Sequence, residues 1–577
     1  MLRPQIVDII VLHPLNPSHR LNPCRFNPCF NLFDPCYILQ PNKILMETDC
    51  EYISYESTGY FSRMLVDYVN GDEKLKEFYK HPVSIEGIKA SIESRKQFET
   101  PRGLLVEELR RQYQHLPLTN IQEQNLQLLL QSSTYTVCTA HQPNIFTGHL
   151  YFIYKILHTV KLADHLNNSI PENKFIPVFY MGSEDADLDE LGHISLNGEK
   201  LNWETKQTGA VGRMKVDKQL TKLIDRIAGE LEVEKQGKEL IDLLRRSYRE
   251  GIMLQDATLN LVNELFKDFG LLVLIPDNVE LKRHFNPIVK KELTEQFSHI
   301  LVEKTGEKLG KNYKVQASGR EINFFYLTET RRERIEKEGE RFKVAELGLS
   351  WSEKELLSEV DAHPERFSAN VILRGVFQEM ILPNVAFIGG GGEIAYWLEL
   401  QKVFEAANVP FPVLIVRNSF LIVNKQQKEL AEKLGFEIID FFKSADELIT
   451  SIVTRESVLQ LSLNTEKQEL QEFYQNLKIV AGKIDVTLAE HTDALNAKAF
   501  KKVEALESKM LRAEKRKFEA QQRQIHKLRK QLFPEDSLQE RVDNFSFYYA
   551  QYGKEWLERI FQASLSLEQQ FGILEIG

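Results

Sequence analysis

Apolar residues follow two different rhythms along this chain, and the change between them divides it. Between residues 135 and 416 they gather into five short runs: YTVCTA (135–140), FIPVFYM (175–181), LLVLIP (271–276), VAFI (385–388) and PVLIV (412–416). Runs of this length, rich in branched and aromatic residues, predict strands. Helical spacing separates them. Ile153, Ile156, Leu157, Val160 and Ala163 recur at steps of three and four in HLYFIYKILHTVKLADHL, and EIAYWLELQKVFEAA follows the fourth run. Strands alternating with helices predict an α/β core whose parallel sheet is covered on both faces. Long intervals near 195–260 and 280–370 predict insertions into that core, and residues 84–132 ahead of the first strand read as polar helix.

From about residue 447 the strands stop. Residues 465–483 and 487–532 read as two helices, the second opened by Asp485 and a Thr487…Glu490 capping box. Its apolar seam runs Val503, Leu506, Met510, Ala513, skips once, then resumes at Phe518, Gln521, Ile525, Leu528 and Leu532. A heptad-like seam with one interruption predicts an antiparallel hairpin or a dimer contact, ended by Pro534. The tail FSFYYAQYGKEWLERIF is too apolar to stay solvated, so it is expected to fold back on the core. Residues 1–45 differ from all of this. Their Pro/Asn-rich NPCRFNPCFNLFDPC suits neither helix nor central strand, and reads as a disordered leader or an over-extended start ahead of Met46. The expected partition is therefore 1–45, a core over 46–446, a helical coiled coil over 447–540, and a C-terminal segment over 541–577.

Composition narrows the classes. The 577 residues are 42% hydrophobic with a net charge of -10, enough for a large core and contrary to the basic balance of a nucleic-acid binder. No run of about 18 apolar residues and no secretory n- and h-region occur, so a cytoplasmic protein that does not span a membrane is expected. The five cysteines are then reduced thiols. Cys24, Cys29 and Cys36 lack the paired spacing and fourth ligand of a zinc site, and Cys138 inside the first strand reads as core.

Open parallel sheets bind ligands where their strands end, so the strand-exit loops are the places to look for chemistry. The first exit offers His141, Gln142, Thr147, Gly148 and His149: a glycine, a helix start and two imidazoles that suit a phosphate, or else an ordinary glycine turn with surface histidines. The second crowds Glu184, Asp185 and Asp187 after Ser183. Crowded carboxylates favour an ammonium group, a shared proton or Mg2+, or else simply an acidic helix start. The fourth is Gly389, Gly390, Gly391 and Gly392 followed by Glu393, an anion nest or a flexible turn. Arg417 leaves the fifth strand, able to grip a carboxylate or phosphate. The basic run KMLRAEKRKFEAQQRQIHKLRKQLFP in the coiled coil reads mainly as a solvated face.

Four segments, AHQPNIFTGHLYFIYKILHTVKLA, PVFYMGSEDADLDEL, GGGGEIAYWLEL with RNS downstream, and LRAEKRKFEAQQRQIHKLRKQLFPEDSLQERVDNF, carry a resemblance. In this combination and order they resemble the cysteine-adding (BshC) family of bacillithiol biosynthesis, from about Met46 to the C-terminus. The resemblance implies a Rossmann-like core similar to class I aminoacyl-tRNA synthetases, connecting-peptide insertions, and a coiled coil that makes a homodimer. It also implies a cysteine ligase that joins L-cysteine to the amine of glucosaminyl malate. ATP or another nucleotide would activate the cysteine carboxylate. His149, His141 and the Gly148 backbone would stabilise phosphate charge, with Gln142 and Thr147 beside them. Glu184, Asp185 or Asp187 would hold an ammonium group or act as base. Gly390, Gly391, Gly392 and Glu393 would shape the pocket, and Arg417 would bind a malate carboxylate. Two departures stand out: Phe146-Thr147-Gly148-His149 keeps only the Gly-His half of a synthetase His-x-Gly-His signature, and Ser508-Lys509-Met510 sits in the coiled coil rather than in a Lys-Met-Ser-Lys-Ser loop. The competing readings are a synthetase-like amide ligase with another amine acceptor and a noncatalytic coiled-coil scaffold.

Overall fold

The five apolar runs form one parallel five-stranded sheet in a computed structural model that describes residues 50–317 and 319–577. Residues 1–45, with the leader and zinc readings attached to them, lie outside the described residues. In chain order the strands used below are β1 (Cys50–Ile53), β2 (Thr134–His141), β3 (Lys174–Met181), β4 (Leu272–Leu274), β5 (Asn384–Gly389), β6 (Val413–Val416), β7 (Ser419–Asn424) and β8 (Phe571–Ile576). The main sheet has the order β6-β5-β2-β3-β4 with every pairing parallel. The chain therefore builds outward from β2 in one direction and then returns to build from β5 in the other. Between β2 and β5 the order reverses, and such a switch point leaves a crevice beyond the strands' carboxyl ends.

Both faces are covered, which is why these strands are apolar throughout instead of alternating. One face buries Tyr135, Val137, Phe175, Val413 and Ile415 against Ile88 and Ile92 of α1 (Ile85–Lys96) and Leu162 and Leu166 of α2 (Tyr151–Ser169). The opposite face carries the larger core, in which Cys138 is wholly buried and its thiol pushed up by burial, as a core role requires. A hairpin (193–202) and three helices (218–231, 237–247 and 254–266) fill the interval between β3 and β4. Between β4 and β5 come helices 279–295 and 297–309, two small antiparallel sheets, and α3 (Val371–Ile381), whose Asn370 cap accepts from the Ile372 N–H at 2.9 Å. After β5 the short α4 (Gly391–Trp397) begins directly.

The helical arm is a hairpin of α5 (Asn464–Gly482) and α6 (Val486–Lys515), turned within three residues and therefore antiparallel. The expected skip in the seam is a physical break: a 3-10 turn at Arg516–Phe518 separates α6 from α7 (Glu519–Leu532), whose Ile525, Leu528 and Leu532 are buried. The aromatic tail does return to the core, as helices 545–552 and 554–563 with Phe545, Tyr549 and Trp556 buried. The second sheet was not anticipated. β8 is the centre of a second sheet, antiparallel to β1 and parallel to β7, so it joins residues 50–53 to 419–424.

A buried ion pair fastens α1 to the sheet. Arg95 and Glu379 are 2% and 0% exposed, and Arg95 donates to Glu379 Oε2 at 2.6 Å, to the Glu379 carbonyl at 2.7 Å and to the Asn384 carbonyl at 3.0 Å. Removing one member leaves an uncompensated buried charge. Arg95→Ala is expected to lower the unfolding free energy by about 3–5 kcal/mol, read from denaturant titration; an unchanged midpoint would refute this account of the pair.

Candidate functional site

A cavity of about 900 Å3 lies at the switch point. Two of its lining residues, Ala140 and Glu393, are tied together by a residue the sequence reading passed over. Lys155, in the first turns of α2 and 2% exposed, sends Nζ to the Ala140 carbonyl at the end of β2 and, at 2.6 Å, to Glu393 Oε2 on α4. The same Glu393 oxygen accepts the Gly390 N–H at 2.8 Å. Burial pulls the Lys155 ammonium down and Glu393 opposes that pull. The signal was present: a single lysine inside YFIYKILHTV, apolar on all sides, has to be buried with a partner.

His141 ends β2 and lines the cavity. Its ring stands edge-on to Tyr151 and Phe152, at 5.4 and 5.5 Å between centroids, and its Nε2 is buried without a hydrogen-bond partner among the described residues. Burial first, then the charges of Lys155, His149 and Arg417, hold its pKa well below 6.5. The imidazole is therefore neutral at neutral pH, not the imidazolium expected for gripping phosphate. Gln142 also lines the cavity and donates to Asp185 Oδ2 at 3.0 Å.

Thr147, Gly148 and His149 are not among the residues that line it. Phe146, Thr147 and Gly148 have φ of 48°, 67° and 67°, a run of left-handed conformations that is strained for the β-branched Thr147. The loop is held from the C-terminal segment. Asn544 Nδ2 donates to the Phe146 carbonyl at 2.9 Å and to the Gly148 carbonyl, while the Phe146 N–H donates to Tyr248 Oη at 2.9 Å. Gly148 is required sterically, because a Cβ there would come within 2.9 Å of Asn144. His149 Nδ1 meets the Val542 carbonyl at 3.1 Å, and burial lowers its pKa too, so the expected phosphate-binding pair of imidazoles does not form.

The acidic exit is brought together, but each carboxylate has a partner. Asp185 takes both terminal nitrogens of Arg374, one at 2.8 Å, and lies 3.7 Å from Arg332. Burial raises its pKa, and Arg374 and Arg332 outweigh that and leave it lowered. Glu184 pairs with Lys282 and accepts from Ser368 Oγ at 3.1 Å. Asp187 is exposed and caps the short helix 188–191, its Oδ1 accepting the Glu190 N–H at 3.2 Å. Among the described residues no group of three or more His, Cys, Asp or Glu is placed to hold a metal ion.

Gly390, Gly391, Gly392 and Glu393 all line the cavity. None of these glycines needs a left-handed φ; they open α4, and a Cβ on Gly391 would come within 3.0 Å of Leu65. Arg417 lines it as well, but its fork is filled by Glu540, at 2.8 and 2.7 Å, with both side chains buried. It is therefore a fastening between β6 and the C-terminal segment and not an open grip for malate. Arg332, Arg374, Arg541, Tyr60, Phe61 and Glu190 also line the cavity and were missed. Arg374, the lone cation in VILRGVF, was legible in the way Lys155 was, whereas Arg332 and Arg541 sit in ordinary charged surroundings.

A parallel sheet with a reversal, and a charged cavity at that reversal, define a Rossmann-like small-molecule enzyme fold. Two family models divide the described chain: "Bacillithiol biosynthesis BshC, N-terminal Rossmann-like domain" matches residues 46–418, and the C-terminal coiled-coil domain of the same family matches 420–576. A protein of Flavobacterium johnsoniae is 38% identical over 533 residues, 92% of this chain and 100% of the relative; one from Flavobacterium psychrophilum is 39% identical with the same coverage. A Bacillus cytotoxicus relative is 27% identical across 87% of this chain and 95% of its own. All three carry the provisional name of cysteine ligase BshC. The chain belongs to the BshC family of bacillithiol biosynthesis, a family of ligases.

The segment that holds the strained loop contains a titrating group. Asp543 accepts from Tyr548 Oη at 3.1 Å and gives its carbonyl to the Leu150 N–H, and burial raises its pKa from 3.8 to about 6. A carboxyl that is harder to ionise when folded supports the fold fully below its unfolded pKa and loses that support as pH rises through about 6. Asp543→Asn should therefore flatten the decline between pH 4 and 7 and raise stability at neutral pH by roughly 1–3 kcal/mol, read as thermal midpoints across that range. A wild-type and variant difference that does not change with pH would contradict it.

Proposed function

We propose that this protein joins the carboxyl carbon of L-cysteine to the amino group of glucosaminyl malate, making bacillithiol, after nucleotide-dependent activation of the carboxylate. The observation that carries the reading is the switch-point cavity, in which a neutral imidazole, its Nε2 without a hydrogen-bond partner among the described residues, stands among paired positive and negative groups and the exposed Asp187 and Glu190. Family membership supplies the reaction class.

A carboxylate oxygen is a poor leaving group, so amide formation requires it to be esterified first. Attack of the cysteine carboxylate on ATP gives an acyl-adenylate with release of pyrophosphate, or an acyl-phosphate with release of ADP. The amine then attacks the acyl carbon, AMP or phosphate departs, and the amine loses a proton. We assign the acceptance of that proton to His141 Nε2, which is uncharged and without a partner among the described residues. Exposed Asp187 and Glu190 at the cavity attract the ammonium form of either substrate. Any Mg2+ would enter on the nucleotide's phosphates, as this ion commonly does. The cavity volume falls within the range that takes a nucleotide-sized ligand.

We place the enzyme in the cytoplasm and assign its dimer contact to the helical hairpin, where Phe473, Val480 and Ile484 are 57%, 60% and 76% exposed. Among the described residues no helix is long and apolar enough to cross a membrane.

Deleting the gene should remove bacillithiol and accumulate glucosaminyl malate in a mass-spectrometric thiol profile, and the wild-type gene should restore both. An unchanged thiol pool would sink the substrate assignment. In purified protein, His141→Ala should lower kcat by about 10²–10⁴-fold, whereas His149→Ala, off the cavity, should retain wild-type kcat. Equal losses in the two variants would remove His141 from the role given to it here.

A further inference from the structure

On one wall of the cavity two guanidiniums share a single carboxylate. Arg374 on α3 closes its fork on Asp185. Arg332 shares that carboxylate from 3.7 Å, and is fixed by donating to Ser368 Oγ at 3.1 Å and to the Ala369 carbonyl at 3.2 Å, with its guanidinium 3.9 Å over the Phe325 ring. Behind this pair Lys282 binds Glu184 and lies 3.4 Å from Asp277, which takes Arg213 bidentately at 2.6 and 2.7 Å. Arg213 and Lys282 are matched by Glu184, Asp277 and the nearby Glu365, so the surplus lies in Arg332 and Arg374, two guanidiniums on the single carboxylate of Asp185. Asp187 and Glu190 also line the cavity, are exposed, and are the groups assigned above to the ammonium. The Arg332 side chain is only 8% exposed, and its Nη1 carries no hydrogen bond among the described residues.

Burying a guanidinium without its own counter-charge is costly, so its retention beside a cavity calls for an anion that arrives with the ligand. We propose that Arg332, steadied beside Arg374, is the subsite for a carboxylate of the amine-bearing substrate. The identity of that substrate rests on the ligase reading above. The excess is one unit of charge on a planar fork, which matches a carboxylate better than a triphosphate. The cysteine carboxylate does not fit the role, because an oxygen held in a guanidinium clamp is a poor nucleophile toward phosphorus. A carboxylate that takes no part in the bond being made, such as those of a malate group, has no such conflict. Arg332 thus selects an acceptor carrying both an amine and a carboxylate.

Calorimetric titration of the full-length wild-type protein with L-malate tests the subsite directly, with steady-state kinetics of Arg332→Gln and Arg332→Lys beside it. Wild-type protein should bind L-malate. Arg332→Gln should weaken that binding and raise KM for glucosaminyl malate by about 10- to 100-fold, leaving KM for cysteine and ATP unchanged. Arg332→Lys, which keeps the charge and loses the fork, should fall between. Circular dichroism identifies a variant that fails to fold; the lysine variant and the wild-type titration then decide. Absence of malate binding in the wild type, equal binding in the variants, or a rise confined to KM for ATP or cysteine would each overturn the assignment. If the wild type forms no amide at all, the ligase reading fails, while the malate titration still decides the subsite.

Discussion

The site depends on one buried ammonium. At the switch point the chain segments that follow β2 and β5 have nothing in the sheet's own hydrogen bonding to hold them in register, since the ladder ends with the strands. Lys155 supplies the missing tie, joining the carbonyl of Ala140 to the carboxylate of Glu393, which in turn holds the Gly390 N–H. The lysine is 2% exposed while Glu393 keeps 25% of its side chain exposed at the cavity, so breaking the bridge would leave a buried ammonium or carbonyl unmatched. The positions of His141 above it and of the glycine stretch beside it follow from that tie.

The rest of the site is assembled by pairing charges across elements far apart in sequence. Arg417 on the Rossmann-like side meets Glu540 from the coiled-coil side, and Arg541, adjacent to that glutamate, reaches the cavity itself. The family's two domains, divided near residue 419, are therefore joined at the cavity: the second contributes Arg541 to its wall as well as the arm. Asn544 extends the same dependence, since its amide supports the loop that leads from Gln142 into α2.

The sheet was legible because strands buried on both faces declare themselves as unbroken apolar runs, and all five were found within a residue or two. β7 and β8 were harder. β7 follows Arg417 after a single residue, and β8 is a short, nearly all-buried run whose partners lie in residues 419–424 and 50–53, far away in the chain, so local pattern could not announce either. For the site, residue types were readable and partners were not. Glu184, Asp185 and Arg417 read as open binding groups because the sequence does not show Lys282, Arg374 and Glu540 standing against them. His149 misled for a related reason: a Gly-His pair at a helix start suits phosphate, yet a carbonyl from residue 542 had already taken its ring nitrogen.

The second sheet has a bearing on how the molecule is made. β8 sits between β1 and β7, so a nascent chain on the ribosome can fold the large parallel sheet but cannot complete the small one until residues 571–576 emerge. Until residues 540–544 have also emerged, Arg417 lacks its carboxylate and the strained loop lacks its amide support. A chain that has not yet released these residues therefore has the sheet without a closed cavity, and catalytic competence comes as a late event of biogenesis.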